Sequence, residues 1–298
     1  MTALVFHPIY SQLDLPTKHR FPIQKYQALK DRLISLGVSN TRFYKPKALD
    51  PAVLSKIFDP SYIKNLTAGT LEPAAMKKIG FPWSEQLILR TLTASAGTIL
   101  AGELALQQGR AINLTGGYHH AFGNFGAGFC MINDLYLCAL NMLQHASIRK
   151  ILIFDCDVHQ GDGTAKLAQN NASVFTVSIH GEKNFPHNKQ RSNLDFPLPK
   201  GTRDNEYLLT VKNALELAIE EAKPDAVIYD AGVDVHENDD LGHLDVSTIA
   251  IYQRDRFVFE KCKALNLPLI AVIGGGYQRD INSLTNVHLQ LFKAADVI

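Results

Sequence analysis

Four nearly uninterrupted apolar runs constrain the fold of this chain more than any other feature of its sequence. They are residues 151–154, 174–179, 226–229 and 267–273. A strand with one face in water would alternate apolar and polar residues, whereas continuous apolar runs are typical of strands buried on both faces. Residues 111–114 and 4–6 follow the same pattern. The runs therefore predict a largely parallel sheet that is covered by helices on both sides.

Helical patterns separate these runs and indicate how they connect. The patterns cover residues 133–144, 205–222, 247–265 and 281–294. Strand and helix in regular order are typical of a doubly wound α/β domain. The region 21–108 is more helical, with breaks at Gly37, at Asp59 and Pro60, and at Gly80. No linker-like stretch interrupts the chain, so we predict a single domain over residues 1–298.

Composition argues against several classes of protein, nucleic-acid binders among them, although a local basic patch stays open. The 298 residues carry a formal net charge of +1, from 30 basic and 29 acidic residues, and a nucleic-acid binder usually has a clear positive excess. The four cysteines form no C-x-x-C pair, so we expect reduced thiols and a cytoplasmic protein. The first residues lack a basic segment followed by a long apolar run, and no apolar stretch approaches 18 residues. We therefore expect neither a signal peptide nor a membrane span.

Chemically active side chains follow the predicted strands, where ligands bind in open α/β sheets. His119 and His120 follow the run 111–114 after a Gly-Gly turn. Two adjacent histidines could serve as acid–base groups near neutral pH. Histidine is also an ordinary loop residue, so this segment alone leaves both interpretations open.

The strand end at residue 155 carries the strongest signal. Asp155, Asp157 and His159 alternate, so in an extended strand their side chains point the same way. Burying three such groups without a compensating cation would be costly, and carboxylate with imidazole suits a divalent metal. The alternative is a capped turn, with Asp162 and Gly163 beginning a helix. That alternative explains the last two residues but not the trio.

Two later strand ends complete the set. Asp234 follows the run 226–229 and could supply a third metal ligand, although Asp is also common as a turn or cap residue. Residues 274–276 are glycines that allow close backbone approach, and the Tyr277 hydroxyl could donate to a substrate. A phosphate loop is the rival interpretation, but the G-x-x-x-x-G-K-[ST] pattern is missing. Two Asp and one His leave a metal position open, which with the histidines and the tyrosine predicts amide hydrolysis.

These motifs together resemble the zinc-dependent histone deacetylase family, with its acetylpolyamine amidohydrolase and acetoin-utilisation relatives. The matching segments are 116–121 (GGYHHA), 128–130 (GFC), 155–163 (DCDVHQGDG), 177–180 (VSIH), 231–234 (AGVD), 274–277 (GGGY) and 19–22 (HRFP). The short length and the segments 79–84 and 239–242 look most like class IV and its bacterial relatives. The resemblance implies a three-layer α/β/α sandwich with a mainly parallel sheet of about eight strands, the arginase/deacetylase fold.

The resemblance also assigns roles to individual residues. It implies Asp157, His159 and Asp234 as ligands of zinc, with Fe2+ as an alternative. It implies His120 as general base and acid, His119 as its electrostatic partner, Asp155 and Asp162 as carboxylates that orient them, and Tyr277 as a donor to the scissile carbonyl. It places a structural potassium ion near Asp155, Asp157, His159, Ser178 and Ile179. It implies a substrate channel formed by Gly128, Phe129, Phe185, Gly275 and Gly276.

The implied substrate is an acetylated or longer-acylated lysine of a peptide or protein. A small acetylated amine such as a polyamine is the alternative. A non-catalytic acyl-lysine binder should lack a metal ligand, a catalytic His or the Tyr, and none is missing. A binuclear manganese hydrolase of the arginase type needs an Asp at position 161, where Gly161 stands. Gln160 departs from the second His of many members, at a position that is not a ligand.

Overall fold

One eight-stranded sheet forms the centre of the protein. In the computed structural model, which describes residues 1–298, the strands are β1 (Ala3–Val5), β2 (Phe43–Tyr44), β3 (Arg110–Asn113), β4 (Ile151–Asp155), β5 (Val174–Gly181), β6 (Leu194–Leu198), β7 (Ala226–Asp230) and β8 (Leu269–Val272). Their order is β2-β1-β3-β8-β7-β4-β5-β6, and all neighbours are parallel. The predicted parallel sheet of about eight strands is confirmed.

Ten α-helices surround the sheet. They are α1 (Lys25–Ser35), α2 (Pro51–Leu54), α3 (Pro60–Ala68), α4 (Pro73–Ile79), α5 (Glu85–Gln108), α6 (Asp134–Met142), α7 (Asp162–Ala168), α8 (Asp204–Ala222), α9 (Thr248–Ala264) and α10 (Ile281–Ala294). The four helices predicted after residue 130 agree with α6, α8, α9 and α10 to within two residues at each end. The expected break at Gly80 is a helix end, where the glycine adopts a left-handed conformation with φ of 90°.

Alternation along the central strands produces three layers. Ile151 and Ile153 of β4 join a core cluster with residues of α5 and α6, whereas Leu152 and Phe154 join a larger cluster with residues of α8, α9 and α10. Successive side chains of a strand point to opposite faces of a sheet, so β4 is buried from both sides. This double burial explains why its sequence is apolar throughout.

Helix α5 is the longest helix and covers one face of the sheet. It alone is long and apolar enough to cross a membrane, but 78% of its most apolar window is buried inside the protein. A Cβ at Gly102 would lie 2.8 Å from the Cys138 sulfur, so the glycine lets α6 approach closely. The apolar character of α5 is accounted for by its position in the core.

Parallel register brings the carboxyl ends of the central strands to one edge. Asp155 at the end of β4 lies opposite Ser178 of β5 on one side and opposite Asp230 of β7 on the other. Asp230 in turn pairs with Val272 of β8. The segments that follow β4, β7 and β8 therefore start side by side, and they are the ones that carry the predicted site residues.

A fully buried arginine, Arg254, holds the segment that follows β7. The Arg254 guanidinium on α9 donates to the carbonyl oxygens of Gly232 at 2.7 Å and Ala231 at 3.2 Å, and to Tyr207 Oη at 3.0 Å. It also forms an ion pair of 2.8 Å with Asp255. Arg254 thereby fixes the backbone just after β7.

We predict that Arg254→Met lowers the free energy of unfolding by about 3–5 kcal/mol. The substitution leaves the Asp255 carboxylate buried without its partner, which is the costly way to break a buried ion pair. Urea unfolding followed by circular dichroism measures the effect. Arg256→Met is the matched control, because Arg256 lies on the same helix and pairs with Glu260 and Asp296 at the surface. Its loss should cost less than about 1 kcal/mol, and equal losses for the two variants would contradict the prediction.

Candidate functional site

Two aspartates and one histidine converge at the carboxyl edge of β4 and β7. His159 Nδ1 lies 3.0 Å from Asp157 Oδ1 and 3.1 Å from Asp234 Oδ2. One potential ligand atom from each residue lies within 4.8 Å of the other two. All three side chains are buried. The structure thus brings together the three residues that the sequence suggested as metal ligands.

Local hydrogen bonds hold this trio in place. Asp155 accepts the backbone N–H of Asp157 at 3.0 Å, and Asp157 accepts that of His159 at 2.9 Å, which turns the chain sharply after β4. Asp234 Oδ1 accepts the N–H of Val158 at 2.8 Å and so links the segment after β7 to the one after β4. Asp157 Oδ1 and Asp234 Oδ2 both contact the His159 ring nitrogen Nδ1.

Gly275, in the segment after β8, contacts two members of the trio. The Gly275 N–H donates to Asp157 Oδ2 at 2.8 Å. A Cβ at this position would collide with the carboxylates of both Asp157 and Asp234. Only glycine therefore allows the backbone to approach the two acids this closely.

The electrostatics of the trio fit a bound divalent cation. Burial, reinforced by the nearby Asp157 carboxylate, raises the pKa of Asp234 to about 7. Burial alone would lower the pKa of His159, but its hydrogen bonds to Asp157 and Asp234 outweigh that effect and raise the pKa to about 10. Both shifts show that the pocket favours positive charge between the acids. Two carboxylates and an imidazole form a donor set suited to a divalent metal and leave a position open.

The two adjacent histidines each bond to a separate carboxylate. His119 Nδ1 lies 2.8 Å from Asp155 Oδ2, and His120 Nδ1 lies 2.6 Å from Asp162 Oδ1. Their ring centroids are 4.2 Å apart, and the His120 ring is 5.9 Å from that of His159. A carboxylate on Nδ1 fixes the tautomer and leaves Nε2 to exchange a proton.

The two histidines differ in charge preference. Burial opposes protonation of His119, but Asp155 and Asp157 prevail and raise its pKa well above the usual value. Burial, and then the positive His119, lower the pKa of His120 to about 4. His119 is therefore suited to act as a fixed positive charge, and His120 to accept a proton.

Tyr277 and two phenylalanines surround the open side of the trio. The Tyr277 ring centroid lies 6.2 Å from that of His159 and 6.0 Å from that of Phe129. Burial, followed by the charges of Asp157 and Asp234, raises the pKa of the Tyr277 hydroxyl well above its usual value, so it remains a proton donor. The Phe185 ring packs edge-on against His120, with centroids 4.7 Å apart, and is 40% exposed at the surface.

The predicted channel residues do not all face the same space. Gly128, Phe129 and Gly275 line a cavity together with His119, His120, Asp157 and Tyr277. Phe185 lies next to this cavity, packed against His120 and 3.2 Å from the place that a Cβ at Gly128 would take. A Cβ at Gly276 would point instead toward His288 and Val233, beneath the glycine segment. Gly276 therefore shapes the backbone rather than the cavity surface.

The five residues predicted to bind potassium lie on two neighbouring strand ends. Asp155, Asp157 and His159 belong to the end of β4 and the following turn, while Ser178 and Ile179 belong to β5. The register places Asp155 beside Ser178. A potassium ion at this position stays a prediction.

Two buried titratable residues near the site, Asp230 and Lys25, received no role from the sequence. Neither carboxylate oxygen of Asp230 has a hydrogen-bond partner, and Oδ2 lies 3.9 Å from His119 Nδ1. The Lys25 ammonium donates to the carbonyls of Gly274 at 3.0 Å and Gly276 at 3.3 Å. Asp230 could have been noticed, because it ends its strand just as Asp155 does. Lys25 gives no such signal, because it lies far away in the sequence.

Comparisons with known proteins agree with this geometry. The family described as the histone deacetylase domain matches residues 19–293. An uncharacterized protein of Picosynechococcus sp. is 45% identical over 98% of this chain and 97% of its own length. Histone deacetylase 2 of Arabidopsis thaliana is 34% identical over 68% of this chain, which spans about half of that protein.

Two more distant matches cover nearly the whole chain. The acetoin utilization protein AcuC of Staphylococcus aureus is 26% identical, over 92% of this chain and 76% of its own length. The crystal structure of the HDA15 HD domain superimposes with a TM-score of 0.82 at 20% identity, covering 98% of this chain and 90% of that one. At that level of identity the structural match bears on the fold alone, and the fold agrees.

We predict that a divalent metal stabilises the protein through this trio. A ligand that binds only the folded state at about 100 times its Kd adds about 2.7 kcal/mol, and Tm should rise by about 5 °C. Differential scanning calorimetry of chelator-treated protein, with and without added Zn2+, measures the shift. Asp234→Asn should remove the shift, and Asp240→Asn, an exposed residue paired with Arg279, should keep it. A shift that survives Asp234→Asn would place the metal elsewhere.

Proposed function

The chain belongs to the histone deacetylase family, and from that membership we propose that it is a zinc-dependent hydrolase that removes acetyl or longer acyl groups from lysine side chains. One observation carries the proposal. One cavity is lined by Asp157 of the buried Asp–His–Asp trio, by His120 with its own carboxylate and by the partly buried Tyr277. The proposal treats residues 1–298 as one catalytic domain of the class IV type, acting in the cytoplasm.

Asp157, His159 and Asp234 would hold the zinc ion, with Fe2+ as the alternative occupant. When bound, such an ion polarises the acyl carbonyl and lowers the pKa of water in the site. The protein supplies the other requirements. It buries the ligands and orients the Asp157 and Asp234 carboxylates by backbone N–H groups.

His120 is the proposed general base and then the general acid. Its pKa, lowered by burial and by His119, keeps it neutral and able to take a proton from the attacking water. The Asp162 carboxylate on Nδ1 stabilises the imidazolium that forms. His120 then gives this proton to the leaving lysine amine, as the bond between carbonyl carbon and nitrogen breaks.

Tyr277 is the proposed donor to the carbonyl oxygen. A fixed donor in a buried site stabilises the oxyanion more than the ground-state carbonyl. The backbone N–H of Tyr277 donates to Asp239 Oδ2 at 2.7 Å, which anchors the residue at its own peptide. Because the hydroxyl keeps its proton, it can act throughout the reaction.

Apolar walls support an alkyl stem as the group that enters the channel. Phe129 lies 5.2 Å from Phe21 and 5.3 Å from Phe81, measured between ring centroids, and Phe185 flanks His120 on the other side. Four methylene groups of lysine would bury their surface against such rings. Small acetylated amines such as polyamines also carry alkyl stems and remain the alternative substrates. A structural potassium ion bound at Asp155 and Ser178 belongs to the same proposal.

We predict that two substitutions abolish most of the activity while preserving the fold. His120→Ala should lower kcat by about 10²–10⁴-fold, because it removes the proton-transfer group. Tyr277→Phe should lower kcat by about 10²–10³-fold, because it removes one oxyanion donor. Release of amine from an acetyl-lysine peptide measures both effects in metal-loaded protein.

Two residues of the same types serve as controls for these variants. His145→Ala removes an exposed histidine that bonds Glu103, and Tyr252→Phe removes a half-buried hydroxyl on α9. Both should retain wild-type turnover. Undiminished deacylation by His120→Ala or Tyr277→Phe would overturn the assigned roles.

We predict that acyl-lysine peptides are turned over and that a hydroxamate blocks the reaction. A panel should compare lysine peptides of increasing acyl length with acetylated polyamines, each at several concentrations to give kcat/KM. Higher kcat/KM for polyamines would select the alternative substrate class. Binding of peptide without any turnover would select the non-catalytic binder, and two equivalents of manganese per chain would select an arginase-type site.

A further inference from the structure

Gln160, directly after the metal-ligand candidate His159, has all its polar atoms bonded to a different part of the chain. Its Nε2 donates to the carbonyl of Gln190 at 2.7 Å and to Asp195 Oδ1 at 2.8 Å. Its Oε1 accepts the N–H of Gln190 at 2.8 Å. The side chain is 1% exposed. The Gln160 amide therefore bonds to both the N–H and the carbonyl of Gln190, 30 positions away in the sequence.

Gln190 is the last residue of the segment that contains Phe185. Within residues 184–190, which we call the channel-wall segment, the Lys189 ammonium donates to the carbonyls of Asn184 at 2.5 Å and Pro186 at 2.7 Å. These bonds fold the segment into a compact loop around Phe185 but do not attach it to the metal side. Gln160 makes that attachment at the C-terminal end of the segment.

The other end of the segment has its own anchors. The Asn184 N–H donates to Gly181 at 3.0 Å, and Asn184 Nδ2 donates to the Leu241 carbonyl at 2.9 Å. The segment is thus held at both ends, with Phe185 between them. Because Phe185 is 40% exposed, packing alone does not hold its ring against His120.

We propose that Gln160 is a positioning residue for substrate binding, because it fixes the channel-wall segment so that Phe185 forms one wall for the alkyl stem of an acylated lysine. This inference rests on the proposed function. Gln160 acts through Phe185 and not through the metal, since its amide points away from the trio to Gln190 and Asp195. His120 has its own carboxylate, Asp162, and does not depend on this contact.

The proposal predicts a rise in KM with little change in kcat. Gln160→Ala removes two hydrogen bonds to the backbone of Gln190 and one to the Asp195 side chain. The channel-wall segment should then move more freely, and KM for an acetyl-lysine peptide should rise about tenfold. The value of kcat should stay within about twofold, and the bound zinc per chain should stay unchanged. Hydrogen exchange, followed by mass spectrometry on the whole metal-loaded protein, should become faster in peptides that cover residues 184–190.

A double-mutant cycle with Phe185→Ala separates positioning from a general structural effect. If Gln160 acts through Phe185, Gln160→Ala should add almost nothing to the KM of the Phe185→Ala protein. Gln160→Glu is a second variant, which keeps the acceptor for the Gln190 N–H but turns the Nε2 donor into an acceptor that faces the Asp195 carboxylate and the Gln190 carbonyl. Because this contact becomes repulsive, its KM should rise at least as much as that of Gln160→Ala. Arg191→Ala is the control, an exposed neighbour of the segment that should leave KM unchanged.

Each outcome of these measurements either supports the role of Gln160 or contradicts it. A tenfold KM effect that disappears in the Phe185→Ala background, with faster exchange at 184–190, supports the proposal. Additive effects, unchanged exchange, or loss of zinc from either Gln160 variant overturn it. Because Gln160→Glu is nearly isosteric, failure of Gln160→Ala to fold leaves the test in place. If the wild-type protein turns over no acylated amine, the proposed function fails, while the exchange measurement still decides whether Gln160 holds the segment.

Discussion

The burial of several carboxylates at one edge of a parallel sheet is the constraint on which the structure depends. They are Asp155, Asp157, Asp230 and Asp234. Removing such groups from water is costly unless each finds hydrogen bonds or positive charge. Asp155, Asp157 and Asp234 meet this requirement through backbone N–H groups and imidazoles. Asp230 has no hydrogen-bond partner and faces only the His119 ring nitrogen at 3.9 Å. A site with this many buried acids favours a bound positive ion, whichever substrate enters it.

The scaffold meets this demand by attaching the strand-end segments to one another. Arg254 holds the carbonyls just after β7, Val158 N–H ties Asp234 to the turn after β4, and Gly275 N–H joins the segment after β8 to Asp157. No single element carries the site. Three strands contribute one anchor each, so their relative register sets the geometry, and parallel pairing fixes that register along the whole sheet.

The sequence was most informative where burial is strongest. The strands β4, β7 and β8 lie at the centre of the sheet, and their apolar runs made them recognisable. The edge strands β2 and β6 were not predicted, because β2 has only two residues and β6 contains a charged Asp195 and a Pro197. The contacts of Lys25 and Gln160 join distant parts of the chain, so no local pattern could have revealed them.

The glycine at position 275 has a consequence for how such a protein can diversify. Any side chain at position 275 would collide with Asp157 and Asp234. The glycine there cannot be replaced without moving the two acids apart. The channel-wall segment touches the site from outside and is held by side chains that can be exchanged. Laboratory evolution toward new substrates would therefore accumulate replacements on that outer loop, while the inner segment stays invariant across the surviving library.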